Sequence, residues 1–209
     1  AARETPAATP LEAAATAATA TEPTPIARAA GVELVAPSAA AVLVGFHEAA
    51  GPGTVPMKSL APLAVELNEG KETVVAEEAE DDQVAPVMEL PTRDRGQPAA
   101  SAVDIAVPAW EDIVAPVGGR VTAVSPYTLY GEFADTRIEI EPKGHPGVRV
   151  VMIHVGGVEV EPGDVVVAGE TVVARTARQF PFSSQIDRFA EEASGAARPH
   201  VHMEVIQVA

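Results

Sequence analysis

The sequence predicts an all-β protein: an antiparallel β-sheet stack or flattened barrel, with a short helix near the C-terminus and a disordered N-terminal tail. Three observations carry this. Between residues 103 and 208, short Val- and Ile-rich runs recur between Gly and Pro turns, the spacing of a stacked antiparallel sheet. Two phrases, Ile113–Val121 and Val160–Glu170, read as a strand, a Gly-containing turn and a strand. Only Ser183–Glu192 has a helical pattern, with an N-cap at Ser183 or Ser184.

Taken in order, residues 1–31 are an Ala/Thr/Pro-rich flexible linker, because Pro6, Pro10, Pro23 and Pro25 break any long helix and nothing large is available to bury. Residues 32–90 form an additional β-region. Ala41–Glu48 reads as a buried strand with a polar end, and Gly51-Pro52-Gly53 as a turn. Ser59–Glu66, Thr73–Val75 and Val87–Leu90 are further strand candidates, and Glu77–Asp82 is an acidic loop. This region is short for an independent core, so its strands are expected on the core that follows. Residues 91–209 form the main domain. Its expected strands are Val103–Val107, Ile113–Ala115, Arg120–Val124, Arg137–Glu141, Val148–His154, Val165–Val167, Thr171–Arg175 and Val201–Ile206.

Composition narrows the chemistry. Aromatic residues are 4% of the chain, so the core is built from small aliphatics. The formal net charge of −16 argues against nucleic acid and anionic membranes as partners. The absence of cysteine excludes disulfides, thiolate metal sites and a cysteine nucleophile. The sequence starts at Ala1 and holds no apolar run of membrane-spanning length. It reads as a trimmed, mature form without direct membrane insertion, and any export signal or anchor would lie upstream.

Three motifs then fall in sequence. Ser101–Pro108 (SAVDIAVP) contains Asp104; Val150–Val155 (VVMIHV) contains His154; Pro199–Val205 (PHVHMEV) contains His200 and His202. Together with the phrases Ile113–Val121 and Val160–Glu170, these resemble the lysostaphin/LytM-type zinc metallopeptidases. That is a peptidoglycan endopeptidase family with a duplicated hybrid motif. The resemblance covers residues 91–209. It implies that Asp104 and His202 are metal ligands and that His154 and His200 orient or deprotonate water and steady an oxyanion. His200 and His202, two apart on a strand, share one sheet face. Read without the family, they are two strand histidines hydrogen-bonded to neighbours.

One position departs from the pattern. The family places a ligand histidine four residues before the aspartate, and here that residue is Ala100. A hydrolytic zinc site needs three protein ligands and an open position. The resemblance therefore implies a degenerate member. His47 is the one candidate for a replacement ligand; otherwise it is a partly buried histidine of the upstream β-region. Tyr127 and Tyr130 are candidate groove residues, and Phe180-Pro181-Phe182 precedes the helix as a loop that covers the groove or packs beside it.

The expected function is a catalytically inactive, extracytoplasmic module that binds, regulates or scaffolds at the cell wall. It would hold no cofactor, and its partner would be peptidoglycan or an envelope protein. The alternative is an active zinc-dependent peptidoglycan endopeptidase with a replaced ligand. A biotinyl or lipoyl carrier shares the hairpin phrases but needs a lysine at the hairpin tip, and Val160–Glu170 has none.

Overall fold

The computed structural model describes residues 23–63, 84–194 and 198–208. Most of the expected linker, together with Thr73–Val75 and Glu77–Asp82, lies outside the described residues. The N-terminal strands are β1 (Pro25–Ala29), β2 (Val32–Val35), β3 (Leu43–His47), β4 (Lys58–Ser59) and β5 (Val87–Glu89). Then come β6 (Ala102–Ala106), β7 (Ile113–Val114), β8 (Gly119–Leu129), β9 (Phe133–Pro142) and β10 (Val148–Ile153). The chain closes with β11 (Val155–Val158), β12 (Val165–Val166), β13 (Val172–Ala177), α1 (Gln185–Ser194) and β14 (His200–Gln207). The class is all-β, with one short helix near the C-terminus among the described residues.

One eight-stranded sheet, ordered β12-β8-β9-β10-β14-β6-β3-β5, dominates. Two three-stranded sheets, β2-β1-β4 and β11-β13-β7, pack with it around one core. Strand alternation divides the large sheet into two faces. Val44, Phe46, Val103, Ile105, Val150, Met152, Val201, Met203 and Val205 all enter the main core. The opposite face carries Leu43, Gly45 and His47 on β3, Asp104 and Ala106 on β6, and His200, His202 and Glu204 on β14. The helix α1 covers part of that second face. Ile186, Phe189 and Ala190 pack there on Leu43, Met88, Leu90 and Ala106. A Cβ at Gly45 would sit 3.0 Å from both Ile186 Cδ1 and Leu90 Cγ, so the glycine leaves room for this cover.

The fold departs from the sequence reading in β1 and in the β8–β9 ribbon, and follows it in the placement of β3. The stretch Pro25–Ala29, within the expected linker, is the buried strand β1, paired with β2 and β4. β8 and β9 run far past Arg120–Val124 and Arg137–Glu141 as a long two-stranded ribbon. Its tip is a turn at Tyr130 and Gly131, both at positive φ (54° and 74°). The upstream strand β3 is inserted between β5 and β6 of the same sheet, and its core residues join those of 103–205 in one cluster.

Gly119 gives a test of this packing. A Cβ there would meet the Glu141 carbonyl oxygen at 2.1 Å on the paired strand, whereas at Gly118 the nearest atom is 3.7 Å away. Gly119→Ala is expected to destabilise the fold by about 1–3 kcal/mol through forced backbone displacement. Gly118→Ala should stay within about 1 kcal/mol of wild type. Urea unfolding of both variants checks the contrast.

Candidate metal centre

Three strands bring the site together. His202 on β14 lies directly opposite Asp104 on β6 in antiparallel register. On the other side of β6, Gly45 of β3 is opposite Asp104 and His47 is opposite Ala102. His47 therefore stands on the same face as Asp104, one diagonal step away. The Asp104 Oδ1 atom lies 3.0 Å from His47 Nε2 and 2.8 Å from His202 Nδ1. One ligand atom from each of the three residues lies within 4.8 Å of the others, and all three residues are buried.

The donor chemistry fits a divalent metal. His47 Nδ1–H donates to the Glu48 carbonyl at 2.8 Å, which leaves Nε2 as the lone-pair atom of the neutral ring. That Nε2 is buried, aimed at a carboxylate oxygen and without a hydrogen-bond partner. A buried nitrogen 3.0 Å from a carboxylate oxygen is matched either by a proton on Nε2 or by a metal cation that takes its lone pair. On His202 the ring is turned so that Nδ1 faces Asp104, while Nε2 lies 3.8 Å from Glu204 Oε2. A carboxylate behind a ligating imidazole fixes its orientation and raises its basicity. Ala100 contributes no donor; its carbonyl accepts a backbone hydrogen bond from Met57 at 2.7 Å.

Two further imidazoles face the same space, each held from behind. His154 Nδ1–H donates to Asp135 at 2.6 Å, and its backbone N–H donates to the same carboxylate oxygen at 3.1 Å. That double hold maintains His154 at φ 65°, a left-handed conformation that a non-glycine residue adopts only when its surroundings enforce it. His200 Nδ1–H donates to Asp187 at 2.7 Å, and its Nε2 lies 3.9 Å from Asp104 Oδ2. The two rings pack edge to face with centroids 5.0 Å apart.

Asp187 is placed by the start of α1. Ser184 caps the helix: its Oγ accepts from the Asp187 N–H at 3.2 Å, and Asp187 Oδ2 accepts from the Ser184 N–H at 2.8 Å. This reciprocal capping leaves Oδ1 for His200.

Titration follows these contacts. Burial alone would raise Asp104, but the charges of His47 and His200 and the His202 hydrogen bond outweigh it and hold the carboxyl well below the usual range. For His202, burial opposes charging, but hydrogen bonds to Asp104 and Glu204 raise it to about 9. His200 is also raised: Asp104 and Asp187 overcome its burial. His154 is lowered, because burial outweighs its bond to Asp135. Burial and the Asp135 charge push the Tyr127 phenol up, so it stays protonated.

Of the residues singled out from sequence, Asp104, His202, His47, His154, His200 and Tyr130 line one cavity of about 110 Å³. Tyr127 is not among its lining residues; it stands behind, half-buried beside Asp135. Tyr130, at the ribbon tip, packs on Phe182 with ring centroids 5.7 Å apart, and Phe180 packs edge-on against His154 at 5.1 Å. These aromatics form one wall. Asp135, Asp187 and Glu204, which stand behind His154, His200 and His202, were not singled out by sequence reasoning. The Ser184-x-x-Asp187 spacing was the readable signal for one of them.

No family model matches the chain, and neither does any curated protein. Among the solved structures similar to the chain in part are two. One is LytU, at 18% identity and a TM-score of 0.38, over 56% of this chain and 68% of that one. The other is pseudoalterin, described as an M23 metalloprotease from the deep sea, at 19% identity and a TM-score of 0.34. That match covers 54% of this chain and 57% of pseudoalterin.

A stability prediction follows from the raised histidines. His202 has a folded pKa of about 9 against an ordinary 6.5, so in metal-free protein its contribution is fully present below pH 6.5 and is lost as pH rises toward 9. His200, raised as well, acts in the same direction. Chelator-treated protein should lose on the order of 2–3 kcal/mol between these pH values, read by thermal unfolding. A flat profile over this window would contradict the assigned contacts.

Proposed function

We propose that this chain is a zinc-dependent peptide-bond hydrolase of the LytM-like kind, acting on peptidoglycan, in which His47 replaces the ligand missing at position 100. One observation carries the reading: His47 Nε2, the Asp104 carboxylate and His202 Nδ1 converge in a buried pocket, and the His47 nitrogen has no other partner. His47, Asp104 and His202 would hold the metal, in the two-imidazole, one-carboxylate set of hydrolytic zinc sites. When bound, zinc supplies Lewis acidity for a carbonyl and acidifies a bound water.

The remaining work falls to the chain's own residues. Asp135 and Asp187 accept hydrogen bonds from the Nδ1–H groups of His154 and His200, so both Nε2 atoms are presented to the pocket. His154, kept toward its neutral form, accepts a proton from water at Nε2. His200, kept toward its charged form, donates at Nε2 to the developing oxyanion and then to the leaving amine. The Phe180, Phe182 and Tyr130 wall excludes water from one side of the reacting groups.

A second reading has its own support. Asp104 already accepts from His202 in a buried hydrogen-bonded pair, so the cluster is largely satisfied without a metal. A metal-free groove that binds cell-wall peptides or an envelope protein as a regulatory or scaffolding module fits that contact.

Metal analysis and digestion separate the two. The purified chain should carry about one zinc, and His47→Ala and His202→Ala should each reduce this to below about a tenth. Wild type should release muropeptides from purified cell walls. A zinc-free protein that releases none would leave the binding module as the function.

The positioning carboxylates predict a different signature. Asp135→Asn and Asp187→Asn should keep zinc content but lower kcat about 10–100-fold, with KM little changed. Loss of zinc in these variants would reassign both aspartates to the metal.

A further inference from the structure

His47 is the last residue of β3, so it stands where the ladder to β6 ends. The support behind its ring comes from the connection that follows. The Glu48 carbonyl accepts from His47 Nδ1–H at 2.8 Å and from the Arg95 guanidinium at 3.0 Å. Glu48 itself is buried. Its Oε2 accepts from the Thr92 hydroxyl at 2.8 Å, from the Arg93 N–H at 2.9 Å and from the Arg95 N–H at 3.3 Å. Asp94, between those two amides, is at φ 52°, and its N–H donates to Thr92 Oγ1 at 3.2 Å. The chain thus bends around the carboxylate with its N–H groups turned inward, the concave arrangement that binds an anion. Ser101 closes the connection from the other side. Its N–H donates to the His47 carbonyl at 3.1 Å, and its Oγ accepts from the Ala49 N–H at 2.9 Å. The segment 92–101, which offers no donor at Ala100, therefore holds His47 from behind.

We propose that Glu48 is a positioning residue for the metal centre: its carboxylate, seated in the turn formed by residues 92–95, fixes the carbonyl that keeps His47 Nε2 aimed at Asp104. The role in metal binding rests on the reading of His47 as a ligand; the hold on the ring does not. An imidazole at the end of a strand has rotamers to explore and two nitrogens to present. The Glu48 carbonyl selects one rotamer and puts the Nδ1 proton on the side away from Asp104. That carbonyl can do so only if its own peptide is held, and the seated carboxylate and the Arg95 guanidinium grip Glu48 at both ends. A carboxylate suits the seat because three donors converge on one oxygen, and a charged acceptor makes the stronger bonds. The same turn reaches the helix. The Arg93 guanidinium donates twice to Gln185 Oε1 at 3.2 Å, and Gln185 opens α1, whose Asp187 holds His200. Glu48 is thereby linked to the support of a second imidazole of the site.

The test has two readouts on the full chain, neither of which needs activity. The first is zinc affinity, by competition with a chromogenic chelator. Glu48→Ala should bind zinc about 10–100-fold more weakly than wild type. Glu48→Gln, whose amide oxygen still accepts from the turn, should recover most of this and stay within about threefold. Glu89→Gln, which removes an exposed carboxylate on β5, should bind zinc as wild type does. The second readout is the His47 Nδ1–H proton in ¹⁵N-edited spectra of the metal-free chain. It should exchange slowly in wild type and about tenfold or more faster in Glu48→Ala. If Glu48→Ala does not fold, Thr92→Val replaces it. Loss of that one donor should weaken zinc about threefold and speed the same exchange. Wild-type zinc affinity and slow exchange in a folded Glu48→Ala, or in Thr92→Val where it stands in, overturn the proposal. So does Glu48→Gln as weak as Glu48→Ala, which would assign the effect to charge near the metal and not to the seat. Slow exchange that depends on Glu48, in a chain that binds no zinc, would uphold the hold on the ring while removing the metal reading.

Discussion

The Asp104 carboxylate is the group around which this face of the sheet is organised. It is buried, and it has three imidazoles around it: His202 at 2.8 Å, His47 at 3.0 Å and His200 at 3.9 Å. A carboxylate taken out of water is costly unless positive charge and hydrogen bonds surround it. Each of those imidazoles is in turn held from behind, by the Glu48 carbonyl, Glu204 or Asp187. The result is a layered polar network inside an otherwise aliphatic sheet. Every layer narrows the freedom of the one in front of it, which is the condition for a precise metal or proton-transfer site.

The same constraint explains why the large sheet is so one-sided. Its inner face is filled by Val, Ile and Met with almost no aromatic mass, so it packs through many small contacts rather than a few large ones. Its outer face is covered as well, which takes the histidines and Asp104 out of water and leaves their mutual contacts to offset that cost. The helix α1 covers one part of that face through Ile186, Phe189 and Ala190, and delivers Asp187 from its first turn. The β8–β9 ribbon and the Phe180–Phe182 loop cover another part. Cover and the carboxylate that holds His200 are thus supplied by the same elements.

Much of this was legible along the chain. The period of two put His200 and His202 on one face, and the Gly-containing turns marked the hairpins. The β-class followed from Val and Ile runs that have no helical spacing. What was not legible has identifiable reasons. β1 has the sequence PIARA, with one β-branched residue, and becomes a strand because β2 and β4 pair with it rather than through its own propensity. Asp135 lies in the β9 strand with no local pattern; it matters because the β9–β10 pairing carries it beneath His154. Tyr127 looked like a groove residue, yet strand alternation turns it toward Asp135 while Tyr130, at the turn, reaches the mouth. The long ribbon was read short because Ser125, Pro126 and Thr128 interrupt its apolar runs.

His47 shows what a motif read along one strand misses, although the wider sequence had singled it out as the one candidate replacement. A motif written as spacing along one strand treats a missing histidine as a missing donor. In a sheet, a position can also be reached from the neighbouring strand, since same-face residues on adjacent strands stand within reach of a long side chain. Here β3 lies beside β6, His47 pairs with Ala102, and the ring spans the diagonal to Asp104. The donors then come from three segments of the chain, centred near residues 47, 104 and 202, that touch only when β3, β6 and β14 have assembled. A metal held by such a set would bind the folded sheet and not its unfolded segments. Its binding free energy would therefore add to the stability of the central strands. A ligand supplied by His47 of β3 instead of by position 100, just before β6, would thus tie the chemistry of the site to the order of the strands, and would make β3 part of the site as well as part of the fold.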